Sequence, residues 1–307
     1  MKKYYPEGII YENKYNKKCM ESINSLRECF LSERILEAKA TMCDHDHNLY
    51  VDLGVMQGII PREECAIGIS DGSVRDIAII SRVNKPVVFK IIDFMDDEAG
   101  ASTAILSRKR VQEECAEEYI STLSPGDIID ARVTHNESFG SFCDIGCGIS
   151  ALLPIDSISV SRIPHPDVRF AVNTMIKAVV KSIDELGRVT LSHKELLGTW
   201  NENAEMFKAG QTVGGVVRSI EKYGVFIELS PNLAGLAEYS YDVNEGDSAS
   251  VYIKSINPEK MKIKLSIVDS FPEKAEPKPV KYFYNDDHID IWKYSPEISE
   301  KVIESVF

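Results

Sequence analysis

The chain has 307 residues, of which 44% are hydrophobic, 27% are charged and 8% are aromatic, and its net charge is −13. This composition excludes a disordered chain, a collagen-like chain and a small disulfide-stapled protein, and the length predicts about two domains. The acidic balance of the whole chain argues against nucleic-acid binding, because a phosphate-binding surface needs Lys and Arg. Residues 33–122, however, hold 10 basic and 17 acidic residues, so about half of the excess acid lies in that one segment.

Apolar runs such as residues 77–80 are far shorter than the ~18–20 residues of a membrane-spanning helix. No apolar signal core follows the first residues, and the seven cysteines are scattered without a strong metal-binding pattern. We therefore expect a cytoplasmic protein with reduced thiols, no metal, no cofactor and no membrane association.

The first predicted element is an amphipathic helix within residues 17–31. Met20, Ile23, Leu26 and Phe30 recur there at helical spacing and would form its apolar stripe.

An internal repeat dominates the rest of the chain. One copy begins at Gly126 and reaches an aromatic-Gly-x-Phe element at Phe139, and another begins at Gly210 and reaches the same element at Tyr223. The spacing is 13 residues in both copies. A third, weaker copy precedes them, and its residues 48–54 align position for position with residues 140–146.

Each copy contains about five short runs of alternating hydrophobicity separated by Gly, Asn and Asp, which predicts antiparallel strands. Five strands that must hide their edges close into a small barrel. The predicted fold is therefore all-β, with three tandem five-stranded barrels and short N-terminal, linker and C-terminal helices. Ser295 is expected to cap the last helix, with Pro296 at its first position. The predicted domains are 1–33 (N-terminal helical segment), 34–122 (degenerate first barrel), 123–197 (second barrel), 208–269 (third barrel) and 270–307 (linker and C-terminal tail).

The repeated aromatic-Gly-x-Phe element has a physical interpretation in nucleic-acid binding. Residues three apart on a strand face opposite sides unless a bulge intervenes, and the glycine between the two rings favours a bulge. A bulge would bring Phe139 and Phe142 onto one outer face, and likewise Tyr223 and Phe226. Exposed rings would form a stacking platform for unpaired bases, whereas buried rings would belong to the core. We favour the platform because the pair recurs at identical spacing.

Basic residues lie where they could contact phosphates beside the stacked bases. For any single one of them, a solvated strand face is the alternative. The candidates are Arg132, His135, Lys181, Arg188, His193 and Lys194 in the second copy, and Arg218, Lys222, Lys254, Lys260, Lys262 and Lys264 in the third.

Five short stretches of the second and third copies form a recognisable pattern: Phe139-Gly140-Ser141-Phe142, the run from Asp184 to Ser192, Tyr223-Gly224-Val225-Phe226, Gly235-Leu236 and Leu265-Ser266. In these stretches the repeats resemble the RNA-binding domain of bacterial ribosomal protein S-one, a five-stranded OB-fold. The resemblance covers about two-thirds of the chain. It implies that the two aromatics, a His, an Asp and an Arg line a site for single-stranded RNA, with Asp184 and Arg188 in the last two roles.

The copies also depart from this family's pattern. The family histidine is replaced by Pro61, Pro154 and Glu238 in the first, second and third copies. In the third copy the Asp and the Arg become Asn257 and Lys262. These changes leave open whether each site is active.

The chain is therefore predicted to bind single-stranded RNA without catalysis, and the resemblance implies mRNA in translation. The alternative is a protein-interaction scaffold or ribosome-associated regulatory factor that uses the acidic first repeat. The family implies that this repeat contacts the small ribosomal subunit. An enzyme ranks last, because no catalytic motif is present. His45-Asp46-His47 cannot all face one ion from a strand, and although a tight turn would allow it, we favour a structural role for this polar turn.

Overall fold

The computed structural model of the protein describes residues 4–96, 102–239, 242–274 and 280–307. It contains three closed five-stranded barrels and a small two-stranded sheet, so the all-β prediction with three barrels is confirmed. The chain divides into two compact units. The first holds the chain up to Leu123 together with Asp144–Ser150, and the second holds Ser124–Cys143 and Ala151–Phe307.

The helices are short. Two helices stand where the sequence predicted one, because the Ser22 side chain accepts a hydrogen bond from the Ser25 backbone and starts a new helix there. No helix within the described residues is long and apolar enough to cross a membrane. The α-helices are α1 (Lys14–Cys19), α2 (Ile23–Leu31), α3 (Ile77–Ile80), α4 (Lys109–Glu118) and α5 (Trp200–Ala204).

The first barrel has the strand order β1-β2-β3-β5-β4. Apolar side chains such as Leu49 and Val51 form its core, and helix α2 adds Leu26 to the same core. The N-terminal segment is tied down by the buried carboxylate of Glu7, whose Oε1 lies 2.7 Å from Arg108 Nε. The strands are β1 (Leu36–Cys43), β2 (Leu49–Asp52), β3 (Gln57–Ile60), β4 (Pro86–Asp96) and β5 (Ser102–Ser107).

The second barrel has the order β10-β8-β7-β6-β9. The loop of residues 155–174, here named the inserted loop, follows β8 and carries two short 3₁₀ helices, Ile155–Ser157 and Pro166–Val168. The strands are β6 (Ile128–Glu137), β7 (Gly140–Asp144), β8 (Ser150–Pro154), β9 (Met175–Ile183) and β10 (Val189–Ser192).

The third barrel has the order β11-β12-β13-β15-β14. Its last strand runs as far as Lys274, so Pro272 lies in a strand rather than in the predicted linker, and Pro277 and Pro279 lie outside the described residues. The strands are β11 (Thr212–Glu221), β12 (Gly224–Ser230), β13 (Leu233–Ala237), β14 (Asp247–Asn257) and β15 (Lys262–Lys274).

The C-terminal tail forms strands β16 (Ile291–Lys293) and β17 (Glu304–Val306). The predicted C-terminal helix was therefore wrong. The Ser295 hydroxyl accepts a hydrogen bond from the Ile303 backbone at 2.8 Å and closes a loop instead of capping a helix. Trp292 and Tyr294 are buried in the apolar cluster of the third barrel, so the rings of the tail pack against that barrel.

The second and third barrels share a buried ion pair network. Arg169, in the inserted loop, places Nη1 2.7 Å from Glu228 Oε1, and Arg218 of β11 places Nε 2.9 Å from the other oxygen of that carboxylate. Burial favours a neutral Glu228, but the two guanidinium groups outweigh it and hold the pKa of this carboxyl below its ordinary value. Arg218 is thereby committed to Glu228.

Candidate nucleic-acid interface

Phe139 and Phe142 lie together on the outer face of the second barrel. Their ring centroids are 6.0 Å apart and their planes meet at 88°. Phe139 is 53% exposed, and Phe142 is half-buried. An edge-to-face contact of this kind is worth about 0.5–1.5 kcal/mol beyond the buried area, so Phe142 helps to hold the exposed ring in place.

Tyr223 and Phe226 repeat this arrangement on the third barrel. Their centroids are 6.1 Å apart at 90°, and Tyr223 is 69% exposed. In both barrels, therefore, the first of these two positions holds an exposed ring and the second holds a half-buried ring in contact with it.

The way the rings are brought together differs from the sequence expectation. Phe139 and Tyr223 each occupy the second place of a two-residue turn, rather than a position within a strand. In the third barrel, Glu221 pairs regularly with Gly224 across that turn. In the third barrel the hairpin turn therefore places Tyr223 beside Phe226, and the register irregularity lies in β11 between Val217 and Ser219 rather than at Gly224.

A row of side chains crosses the outer face of the third barrel. Phe226 is paired with Leu236 of β13, and Leu236 is paired with Lys264 of β15. Paired residues on neighbouring strands point to the same side of the sheet, so Lys264 shares the face of Phe226. Lys262 lies two residues earlier on β15, is also exposed and points to the same face.

Lys254 and Glu238 complete this face of the third barrel. Lys254 Nζ lies 2.8 Å from Glu238 Oε1, and both side chains are exposed. The hydrogen bond and the charge of Lys254 lower the pKa of Glu238, so the carboxyl is ionised at neutral pH.

The second barrel has fewer unengaged cations at the matching positions. Thr190 pairs with Leu152, so it holds the place that Lys264 holds in the third barrel.

Arg188 is exposed, but its Nε lies 2.7 Å from Asp184 in the turn between β9 and β10. Lys181 is exposed and donates to the Ser157 hydroxyl at 3.0 Å.

Two further candidates lie on β6. His135 is exposed and places Nε2 2.6 Å from Glu137 Oε1. Arg132 is half-buried, and its Nε has no hydrogen-bond partner within the part of the chain that the structure describes.

His193 does not lie on the exposed face. The ring is buried against Phe170 at 5.0 Å between centroids, and Nδ1 lies 3.1 Å from the Ile158 carbonyl oxygen. Burial lowers the pKa of His193 to about 4, so the ring is neutral and part of the core. Lys194 follows it at the start of a 3₁₀ helix and is half-buried.

The family histidine position has different surroundings in the two barrels. Pro154 is half-buried and ends β8. The backbone N–H of the next residue, Ile155, donates to the carbonyl oxygen of Phe139 at 2.9 Å. Glu238 instead follows β13 as an exposed charge.

The first barrel has His47 and Tyr50 at the positions that hold the two rings in the other barrels. Tyr50 is half-buried and its hydroxyl lies 3.3 Å from Asp44, and His47 stands in a turn with φ of 64°. Tyr50 is flanked through the strand pairing by Met42, Ile59 and Ile105, so this face is aliphatic where the third barrel has Lys264.

Sequence reasoning missed the Arg169–Glu228–Arg218 network, because Arg169 and Glu228 are 59 residues apart. It also could not place Leu236, whose pairing partners show that Phe226 and Lys264 share a face. Within the described residues, no group of three His, Cys, Asp or Glu side chains is placed to hold a metal ion.

Comparison with known proteins places these features in context. Residues 122–194 match the S1 RNA binding domain family. The chain is 28% identical to small ribosomal subunit protein bS1 of Staphylococcus aureus strain COL, over 88% of this chain and 71% of that protein. It is 30% identical to bS1 of Leuconostoc lactis, over 74% of this chain and 55% of that protein.

Among solved structures, a multidomain protein with nucleic acid binding domains from Streptococcus pneumoniae aligns over 77% of this chain and 74% of its own length. The sequence identity is 12% and the TM-score is 0.26.

Proposed function

We propose that this chain, an S1-like protein built of tandem OB-fold barrels, binds single-stranded RNA through its second and third barrels without catalysing a reaction. One observation carries the proposal: an exposed aromatic ring contacts a second, half-buried ring edge-to-face, at the same place in two consecutive barrels. The match of residues 122–194 to the S1 RNA binding domain family falls on one of these two barrels.

Binding combines two physical contributions. A base stacked on Phe139 or Tyr223 gains about 1–3 kcal/mol, largely independent of its identity. Lys262 and Lys264, which are exposed on the face of the third barrel, contact phosphates and release counterions. Because the second barrel has Thr190 where the third has Lys264, the third barrel supplies more of the electrostatic attraction.

The cellular role follows from the relatives. Proteins named for the small ribosomal subunit align with most of this chain, so we assign it to mRNA binding during translation, in the cytoplasm. The first barrel, whose face around Tyr50 is aliphatic, is assigned to contact with the small ribosomal subunit rather than to RNA stacking.

Fluorescence anisotropy with the full chain tests the RNA-binding proposal. Three labelled probes of equal length are compared: unstructured RNA, single-stranded DNA of the same sequence, and duplex RNA. We expect tightest binding to the unstructured RNA, weaker binding to the DNA and weakest binding to the duplex, because only unpaired bases can stack on the rings. Equal or tighter binding to the duplex contradicts the proposal.

Nuclease treatment tests the role of the first barrel. The tagged chain is mixed with small ribosomal subunits and recovered before and after trimming of exposed RNA. Retention of the subunit after trimming is expected if the aliphatic face binds protein. Complete release by nuclease means that the contact is made through RNA alone.

A further inference from the structure

Glu238 lies on the same face as the proposed stacking platform of the third barrel. Along β13, Leu236 points to the side of Phe226 and Lys264, with which it is paired. Side chains two residues apart on an extended chain point to the same side, so Glu238 follows Leu236 on that face. Its side chain is 86% exposed and thus open to a ligand.

Lys254 forms an exposed ion pair with this carboxylate. The 2.8 Å contact engages Oε1 and leaves the second oxygen without a hydrogen bond among the described residues. The lysine also balances the charge of the carboxylate, so a phosphodiester chain passing the platform meets a neutral pair rather than an isolated negative charge. Glu238 is therefore compatible with RNA on this face.

An ionised carboxylate accepts hydrogen bonds and cannot donate them. Among the four bases, guanine alone presents two adjacent donors on its Watson–Crick edge, the N1–H and an N2–H. Uracil presents one N–H between two carbonyl oxygens, and a carboxylate repels both of these oxygens. Adenine and cytosine each present one amino group beside a ring acceptor. A carboxylate beside a stacked base therefore favours guanine.

We propose that Glu238 is a specificity-determining residue that makes the third barrel select guanine among unpaired bases. This inference rests on the proposed RNA-binding function and refines it. The second barrel has Pro154 at the same place, which offers no side-chain acceptor, so its platform is expected to stack bases without this selection.

The experiment compares the full-length chain with the Glu238→Gln variant on four RNA probes. The probes share one unstructured sequence and differ only at two neighbouring positions, which carry guanine, adenine, cytosine or uracil. The parent is expected to bind the guanine probe about 5- to 10-fold more tightly than the others, because the second oxygen and the remaining lone pair of Oε1 accept the two guanine donors. In the variant this ratio is expected to fall below about twofold, while binding to the uracil probe is retained or improved.

Glu245→Gln is the matched control, since it removes the same charge from an exposed position nine residues before Lys254 and ahead of β14. It is expected to keep the ratio of the parent.

A ratio unchanged by Glu238→Gln, or a parent without guanine preference, overturns the inference and leaves RNA binding intact. An equal gain of affinity for all four probes in the variant also overturns it, because Glu238 would then act only by repelling phosphates. Failure of the parent to bind any probe overturns the proposed function itself.

Discussion

A methyl group on Gly140 would lie 2.4 Å from the carbonyl oxygen of Leu153. In the third barrel, a methyl group on Gly224 would likewise lie 2.4 Å from the carbonyl oxygen of Ala237. In both barrels this glycine directly follows the exposed ring. The close approach of two strands beneath each platform therefore depends on the absence of a side chain at that position.

Gly224→Ala is expected to displace β12 from β13 and to move Tyr223 with it. The added carbon meets backbone rather than a flexible side chain, and the φ of 152° is strained for alanine. We expect a loss of about 1–3 kcal/mol in the free energy of unfolding and weaker RNA binding. Thermal denaturation and anisotropy measure the two effects.

Gly214→Ala serves as the control in the same barrel. Gly214 lies on β11, and a methyl group there meets nothing within 4 Å. A thermal midpoint lowered equally by both substitutions would mean that general loss of glycine, and not the contact with Ala237, explains the effect.

Removal of the exposed rings is expected to weaken RNA binding without unfolding the barrels. Phe139→Ala and Tyr223→Ala each delete a ring that is more than half exposed, so little core packing is lost. Each should weaken binding about 5- to 150-fold, which corresponds to the ~1–3 kcal/mol of one stacked base. Anisotropy gives the affinity, and circular dichroism checks the fold.

Phe271→Ala is the matched aromatic control. Phe271 is exposed at the distal end of β15, seven residues beyond Lys264, and should leave the affinity unchanged. If all three ring deletions weaken binding equally, the stacking sites are not at Phe139 and Tyr223.

The salt dependence of binding should fall when the lysines of the third barrel are removed. Each phosphate contact on a single strand contributes about 0.7 to the slope of log affinity against log salt concentration. The double variant Lys262→Ala/Lys264→Ala should therefore lower the slope by about 1.4 if each lysine holds one phosphate. Titrations in KCl from low to physiological concentration give the slope.

Lys293 and Lys301, both exposed in the tail, provide the charge-matched control. Their double alanine variant should preserve the slope. The same decrease in both variants would assign the effect to total charge rather than to the face shared with Phe226.

Much of this architecture could be predicted from the sequence, because the signals are local. Alternating hydrophobic runs and the recurrence of an aromatic-Gly-x-Phe element indicate strands and repeats within windows of a few residues. The structure confirms the three barrels and shows both ring pairs in contact. The role of the two ring pairs in binding RNA remains a prediction.

The features that could not be predicted depend on distant residues. Ser295-Pro296 is a good local start for a helix, but burial of Trp292 and Tyr294 in the core of the third barrel holds the tail in extended strands. Glu228 already pairs with Arg218 of its own barrel, but its second partner, Arg169, is brought to it by a loop of the preceding barrel. His193 follows a strand and looks like an exposed candidate, yet Phe170 and Tyr282 enclose its ring.

The buried state of His193 predicts a specific dependence of stability on pH. In the unfolded chain a histidine has a pKa of about 6.5. In the folded protein the pKa is lowered to about 4, so below pH 6.5 the unfolded state binds a proton that the folded state excludes. The stabilising contribution is complete above pH 6.5 and is lost as the pH falls towards 4.

Between pH 7 and pH 5 this loss should amount to about 2 kcal/mol, at ~1.4 kcal/mol for each pH unit below the unfolded pKa. Urea unfolding followed by tryptophan fluorescence measures it, since both tryptophans, Trp200 and Trp292, lie in the unit that contains His193. His193→Gln removes the titrating group, so the parent should lose about 2 kcal/mol more than the variant over this pH range. Subtracting the loss measured for the variant from the loss measured for the parent cancels the contributions of the other titrating groups. An identical pH dependence in parent and variant would place His193 in contact with water and return it to the set of possible RNA ligands.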